Sequence, residues 1–178
     1  MTHVLGGSFN SRINMNLRED KHWSYGAFTL VFDAAGPRPF MAYAPVQTDR
    51  TRESMEEVAK EMRGIVGPVP VTDDELDRAK RAQTLRLPGQ WETNAAVAAS
   101  LAEIVRFGLG LDFYETYADR VDALSLQDVQ SVATGTVHPD DLVWVVVGDR
   151  SQIEPGIREL GWGPIVVIDP EGNVVEGA

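Results

Sequence analysis

Leu5-Gly6-Gly7-Ser8-Phe9-Asn10-Ser11-Arg12-Ile13-Asn14-Met15-Asn16-Leu17-Arg18-Glu19-Asp20-Lys21-His22-Trp23-Ser24-Tyr25-Gly26 is a stretch that ends one element, builds a second and starts a third. Leu5 followed by Gly6-Gly7 has the form of a helix end, where glycine carries the backbone past the last turn. From Phe9 to Lys21 the apolar residues Phe9, Ile13 and Leu17 recur at i, i+4 and i+8, with Asn10 or Ser11 as cap, so a short amphipathic helix is predicted. At Trp23 the period changes to two. Over Trp23 to Phe32, a strand puts Phe28, Leu30 and Phe32 on one face and Tyr25, Ala27, Thr29 and Val31 on the other. Arg18 follows core-facing Leu17, and Tyr25 lies opposite the phenylalanine face, so both are expected to point away from the core.

The chain then alternates plain signals. Gly36-Pro37-Arg38-Pro39 is a turn, and Phe40 to Gln47 a returning strand that Pro45 confines to an edge or a bulge. From Asp49 a helical stripe of Met55, Val58, Ala59, Met62 and Ile65 runs to Gly67-Pro68. Thr72-Asp73-Asp74-Glu75 is a capping box for the next helix, which carries Leu76 and Ala79 and is interrupted at Pro88-Gly89. A helix over 93–107 is expected to turn Val97, Leu101, Ile104 and Val105 inward. Two more helices follow, over 112–124 and 125–137, the second opened by a Ser125/Asp128 box. Leu142 to Val147 reads as a strand buried on both faces. A short helix to Leu160 with Pro155 in its first turn, a strand over 164–168 and a polar tail over 170–178 complete the chain. Helices are segregated from a small antiparallel sheet, which makes the fold class α+β, in one folding unit over residues 1–178.

Composition narrows the function. The 178 residues carry a net charge of −11 and no cysteine. So acidic a chain opposes a phosphate backbone, and nucleic acid is not an expected partner. No run approaches the ~20 apolar residues of a membrane span, and the N-terminus lacks the charged and apolar regions of a secretory signal. With no cysteine to indicate a redox compartment, localisation stays open, bacterial periplasm and cytoplasm being the foremost candidates. His3, His22 and His138 are the only histidines. Neither HExxH nor HxxEH occurs, so no zinc site is expected in this chain. The carboxylates of Glu53, Glu56, Glu57 and of Asp73-Asp74-Glu75 fall at helix starts or exposed faces, where solvation and the helix dipole account for them. No P-loop, GxSxG or strand-borne GxGxxG is present, and Gly108-Leu109-Gly110 caps a helix. Spacing alone leaves Arg18 free to be an exposed cation beside an acid, and Tyr25 a strand residue packed on a neighbour. Arg12 is read as a structural ion-pair former, Trp23 and Trp91 as packing residues, and His22 as a solvated loop histidine.

The opening stretch resembles the signature of the M16 family of zinc metallopeptidases (insulinase, pitrilysin and processing-peptidase types), written LGGxxxSRLxxxLRExxxxxYG. Val46-Gln47-Thr48-Asp49, Glu75-Leu76 with Ala79-Lys80, Glu92-Thr93 and Val146-Val147-Gly148-Asp149 extend the likeness to about Asp169. The resemblance implies the M16-like metallohydrolase fold and, in particular, the C-terminal, inactive, non-zinc half. In that family two homologous halves face each other across a chamber; one carries zinc on HxxEH and the other supplies an Arg and, seven residues later, a Tyr. These fall on Arg18 and Tyr25. The implied role is to bind the carbonyls of an extended peptide and stabilise the developing oxyanion.

The resemblance also implies partners. An HxxEH-bearing half, in the same polypeptide or another subunit, would hold the zinc, and a peptide would be the substrate. A full half begins with strands and a helix ahead of Leu5-Gly6-Gly7, so the sequence reads as lacking them, and a sheet edge left open predicts self-association. The chain alone is expected to bind no zinc and cleave no peptide. The other implied reading is a non-catalytic assembly subunit of the kind found as core proteins of a respiratory complex.

Overall fold

A computed structural model describes residues 1–176. The first element, α1 (Thr2–Leu5), ends at Gly6, and the reason for glycine there is a neighbour. A Cβ on Gly6 would stand 2.4 Å from the backbone nitrogen of Thr29. In its absence the Thr29 N–H donates to the Gly6 carbonyl at 2.9 Å, and the Thr29 hydroxyl donates to the Thr2 carbonyl at 3.1 Å. The opening helix is thereby sutured to the first strand.

Helix α2 (Arg12–Asn14) continues without a break into a π-helical stretch, Met15–Asp20. Ile13 and Leu17 lie fully in the core as expected, but Phe9 is exposed, because the helix begins three residues after it. Ser11 is at the cap position, though its hydroxyl donates to the Ser8 carbonyl rather than capping the helix. Strands β1 (Phe28–Val31) and β2 (Phe40–Tyr43) pair antiparallel, with Phe28 opposite Tyr43 and Val31 opposite Phe40. The strand expected from Trp23 is therefore shorter, and its faces are the reverse of the prediction: Ala27 and Thr29 are buried while Phe28 and Phe32 are exposed. The suture to Gly6 decides this, since it pulls Thr29 rather than the bulkier Phe28 against helix α1. Phe28 instead packs its ring on Tyr43, 5.2 Å away.

The rest of the helical layer follows the sequence closely at its strongest signals. A 3-10 turn, Thr48–Arg50, leads into α3 (Thr51–Val66), whose Met55, Val58, Ala59, Met62 and Ile65 are all buried. Both capping boxes form: Thr72 with Glu75 opens α4 (Asp73–Thr84), and Ser125 with Asp128 opens α8 (Leu126–Thr136). Between them lie α5 (Leu87–Gln90), α6 (Asn94–Phe107) and α7 (Phe113–Asp122). Pro88 enters α5 near its start, where a missing N–H costs nothing. One continuous core joins Val4, Leu5, Ile13, Leu17, Val58 and Met62 to Leu76, Val129 and Ala133. Burial of an aliphatic side chain of this size contributes roughly 1.5–3 kcal/mol.

Four expectations are corrected. On α6 only Ile104 of the anticipated quartet is buried; Val97, Leu101 and Val105 are exposed, because no described element covers that flank. Pro155 lies mid-way along α9 (Arg150–Leu160) rather than in its first turn, since Asp149 caps the helix earlier by accepting from the Ser151 N–H. Leu142–Val147 is neither paired nor buried on both faces: Val143, Val145 and Val147 are exposed, for lack of an adjacent strand. The polar tail over 170–178 contains β4 (Val174–Glu176), paired antiparallel with β3 (Val167–Ile168). Its turn is closed by Asp169, which accepts from the Asn173 N–H at 2.7 Å, and by Gly172 at φ 88°. Residues 177–178 of that tail lie outside the described residues. Among the described residues, no helix is long and apolar enough to cross a membrane.

Candidate functional site

Arg18 and Tyr25 are joined by a junction with its own geometry. The π-helical stretch closes with the Lys21 N–H on the Asn16 carbonyl at 3.0 Å, and the Trp23 N–H then reaches back to the Leu17 carbonyl at 2.9 Å. Such a reversal needs a left-handed residue, and His22 supplies it at φ 59°, alone among the described non-glycine residues. Its ring Nδ1 lies 3.1 Å from the Arg18 carbonyl. His22 is exposed, as expected of a loop histidine, yet its backbone has a defined task in turning the chain from helix to strand.

Beyond the turn the backbone is held from both sides. The Gln47 side-chain amide donates to the His22 carbonyl at 3.1 Å, and the Gln47 N–H to the Trp23 carbonyl at 2.9 Å. The Ser24 hydroxyl donates to the Pro45 carbonyl at 2.6 Å and accepts from the Gly26 N–H at 3.1 Å. Asn14, buried on α2, spans the gap: its amide donates to the Phe9 carbonyl at 2.6 Å and its oxygen accepts from the Ala27 N–H at 3.0 Å. These bonds bend the chain between Ser24 and Ala27, so Tyr25 is not part of β1 and leaves the core although Ala27 and Thr29 enter it.

The two side chains differ in how they are held. Tyr25 is 95% exposed, and no hydrogen bond or ring contact engages it among the described residues. The Arg18 side chain is 39% exposed, with its Nε 3.2 Å from Glu19 and its guanidinium 4.7 Å above the Phe9 ring. Neither is sealed in the interior. An exposed phenol offers one donor and one acceptor, and a guanidinium on an aromatic face offers a planar set of donors, the groups that engage peptide carbonyls and carboxylates.

The other candidates have structural employment. Arg12 donates from Nε and Nη2 to the two Glu75 oxygens, both at 2.7 Å, and to the carbonyls of Val69 and Pro70 at 2.6 and 2.9 Å. Glu75, which the sequence placed with the surface carboxylates, is thus half-buried beneath Arg12. Its own burial works to raise its pKa, but the bonds from Arg12 and the Thr72 N–H prevail and hold it below the ordinary glutamate value. Trp23 packs against the core, with Lys21 and Arg50 near its ring. Trp91 donates to the Ser100 hydroxyl at 2.9 Å and meets Tyr114 edge-on. The sequence reading passed over Asn14 and Asn16. Asn16 donates to Glu57 and Glu61 on α3 at 2.7 and 2.8 Å; two asparagines between core-facing Ile13 and Leu17 are the available sign.

Among the described residues, no three His, Cys, Asp or Glu side chains gather to hold a metal.

Residues 1–83 match the family described as the peptidase M16 inactive domain. No curated protein sequence matches the chain. Solved structures do. A peptidase M16 inactive domain from Pseudomonas fluorescens matches with a TM-score of 0.69 and 21% identity over 78% of this chain and 33% of the other. A protein assigned as a zinc protease from Bordetella pertussis Tohama I matches at TM-score 0.63 and 21% identity, over 76% of this chain and 74% of the other. Complex III2 from Candida albicans, bound to Inz-5, contains a chain matching at TM-score 0.59 and 15% identity, over 76% and 31%. The chain thus spans about a third of the first of these, and at such identities the likeness is one of fold.

Proposed function

Residues 1–83 of this chain match the family of the peptidase M16 inactive domain and its fold is like that of a solved M16 inactive domain, and from that premise we propose that it is the substrate-holding, non-zinc half of an M16 metallopeptidase. In this reading an HxxEH half, in the same polypeptide or a partner subunit, holds the zinc and activates water. Arg18 and Tyr25 bind the carbonyls of an extended peptide and orient the scissile bond, with the Tyr25 phenol donating to the oxyanion as it forms.

One observation carries the reading. A tyrosine left 95% exposed on a backbone fixed by His22, Ser24 and Gln47 contributes nothing to the fold, yet its backbone position is rigidly specified. A site on a preorganised segment, with its donor kept free for a ligand, has this form.

The complex III chain favours a second reading, a structural subunit of an assembly, in which an exposed tyrosine is an interface residue. Reconstitution of this chain with the HxxEH-bearing M16 polypeptide of the same genome separates the two. The substrate-holding reading expects peptide cleavage only in the mixture, with turnover lowered about 10²-fold by Tyr25→Phe and also lowered by Arg18→Ala. Wild-type rates in both variants, or a stable complex that cleaves nothing, would leave the structural reading standing.

A further inference from the structure

Between the Ser24–Val46 bridge and the Phe28–Tyr43 pair, three residues of one strand, Tyr25, Gly26 and Ala27, stand against two of the other, Ala44 and Pro45. The extra residue makes a β-bulge, which breaks the alternation of side chains along the strand. Without it Tyr25 would share the face of Ala27 and Thr29, each 4% exposed. Across it, Tyr25 is turned to solvent. The Ala27 N–H, displaced from the ladder, donates to Asn14 Oδ1 at 3.0 Å. The other end of the same amide, Asn14 Nδ2, donates to the Phe9 carbonyl at 2.6 Å. Phe9 is 55% exposed and adds little to the core, but the Arg18 guanidinium rests on its ring. One buried amide thus touches both the bulge that turns Tyr25 outward and the residue that carries Arg18.

We propose that Asn14 is a positioning residue that sets Arg18 and Tyr25 in register with each other, so that both meet one extended peptide; this rests on the substrate-holding reading above. The side-chain chemistry is specific. A carboxamide donates at one end and accepts at the other, which a hydroxyl of shorter reach, a carboxylate or an aliphatic group of that size does not do. Because the site is buried, an unmet Phe9 carbonyl or Ala27 N–H would be costly, so the two bonds hold the two segments together as a unit. The neighbouring polar side chains are engaged elsewhere: the Ser11 hydroxyl donates to the Ser8 carbonyl, and the Asn16 amide to Glu57 and Glu61. Asn14 acts on the peptide through Phe9 and Ala27 and need not touch it.

The test takes the whole chain, first alone and then reconstituted with the HxxEH-bearing half. Asn14→Asp, ionised in mildly alkaline buffer, still accepts from the Ala27 N–H but no longer donates to the Phe9 carbonyl; Asn14→Leu does neither. In the chain alone, N14D is expected to remove the ring-current shift of the Arg18 side-chain protons while the Ala27 amide stays protected. In N14L that amide is expected to exchange about tenfold faster. In the reconstituted peptidase, N14D is expected to raise KM about tenfold with little change in kcat, and Phe9→Leu, at an exposed position, to do the same. N14L should lower kcat as well, through Tyr25. In an Arg18→Ala background N14D and F9L should change nothing further, a non-additivity that a general loss of stability does not produce. Equal effects of N14D and F9L with and without Arg18, or an unaltered Ala27 amide in N14L, would overturn the proposal. Slowed R18A and Y25F beside wild-type N14D and F9L would overturn it alone, whereas wild-type rates in R18A and Y25F would overturn the substrate reading and this one with it.

Discussion

Arg12 and Glu75, sixty-three positions apart, meet through two parallel N–H···O bonds of 2.7 Å, with 11% and 15% of their side chains exposed. The same guanidinium holds the carbonyls of Val69 and Pro70, and the same carboxylate accepts from the Thr72 N–H at 2.9 Å. One pair therefore fastens α2, the loop after α3 and the start of α4. Replacing Arg12 by Met leaves a half-buried carboxylate and two carbonyls without their donor, and is expected to destabilise the chain by about 3 kcal/mol. Urea unfolding of the variant gives that figure directly; a loss under 0.5 kcal/mol would mean that the pair is ornamental.

The same pair sets a pH dependence. Glu75 has its folded pKa held below the ordinary value, by bonds that outweigh burial. A depressed carboxylate stabilises the fold above its unfolded pKa, and that contribution is lost as pH falls through the folded value. Glu57 is depressed as well: burial opposes the shift, and its bonds from Lys60 and Asn16 overcome it. Glu154, between Arg150 and Arg158, is held down at about 2. Stability is expected to fall as pH drops below about 4.5, the ordinary glutamate value. Glu75→Gln should flatten part of that acid slope; an unchanged slope would exclude Glu75 as a linked group.

Gly6 and Gly36 make a matched contrast. A methyl at Gly6 would stand 2.4 Å from the Thr29 nitrogen, whereas nothing lies within 4 Å of one at Gly36. Gly6→Ala is expected to cost about 2–3 kcal/mol through loss of the α1–β1 suture. Gly36→Ala should be neutral or stabilise by up to ~1 kcal/mol, by narrowing the unfolded ensemble. Thermal melts of both variants, side by side, check the difference in sign.

His22 turns the chain at φ 59°. His22→Val, β-branched and ill-suited to that conformation, is expected to destabilise by about 1–3 kcal/mol, and His22→Gly by much less. In the reconstituted peptidase the valine variant should also lose turnover, because Tyr25 is placed by this turn. A His22→Val chain that melts and turns over like wild type would remove the turn from the account.

Tyr25→Phe should leave stability within ~0.5 kcal/mol of wild type, since the residue is 95% exposed and no hydrogen bond engages the phenol among the described residues. Arg18→Ala forfeits the stacking on Phe9, worth about 0.5–1 kcal/mol at such a site. Chemical denaturation of the two variants makes any loss of peptide turnover interpretable as function rather than unfolding.

The strongest local signals were legible without coordinates. The α3 stripe, both capping boxes and the glycine stop after Leu5 formed as read, because each is determined within a few residues by periodicity or by side-chain bonds to the adjacent backbone; the hairpin formed too, but over 28–43, inside the strands expected over 23–32 and 40–47. Arg12 was rightly taken as an ion-pair former, although its partner Glu75 was taken for a surface acid, since a separation of sixty-three positions hides the contact. The faces of β1 were read in reverse, because alternation specifies two faces but not which one meets the core, and the clash space at Gly6 made that choice. Leu142–Val147 carries the composition of a buried strand, but burial and pairing require a neighbour, and the described residues supply none. The stretch from Leu5 to Gly26 was sufficient to name Arg18 and Tyr25 as candidates. That both reach solvent, and that a left-handed histidine and a bend at Ser24 turn the second out of its strand, was decided by tertiary contacts from Asn14, Gln47 and Pro45, which lie up to two dozen residues away.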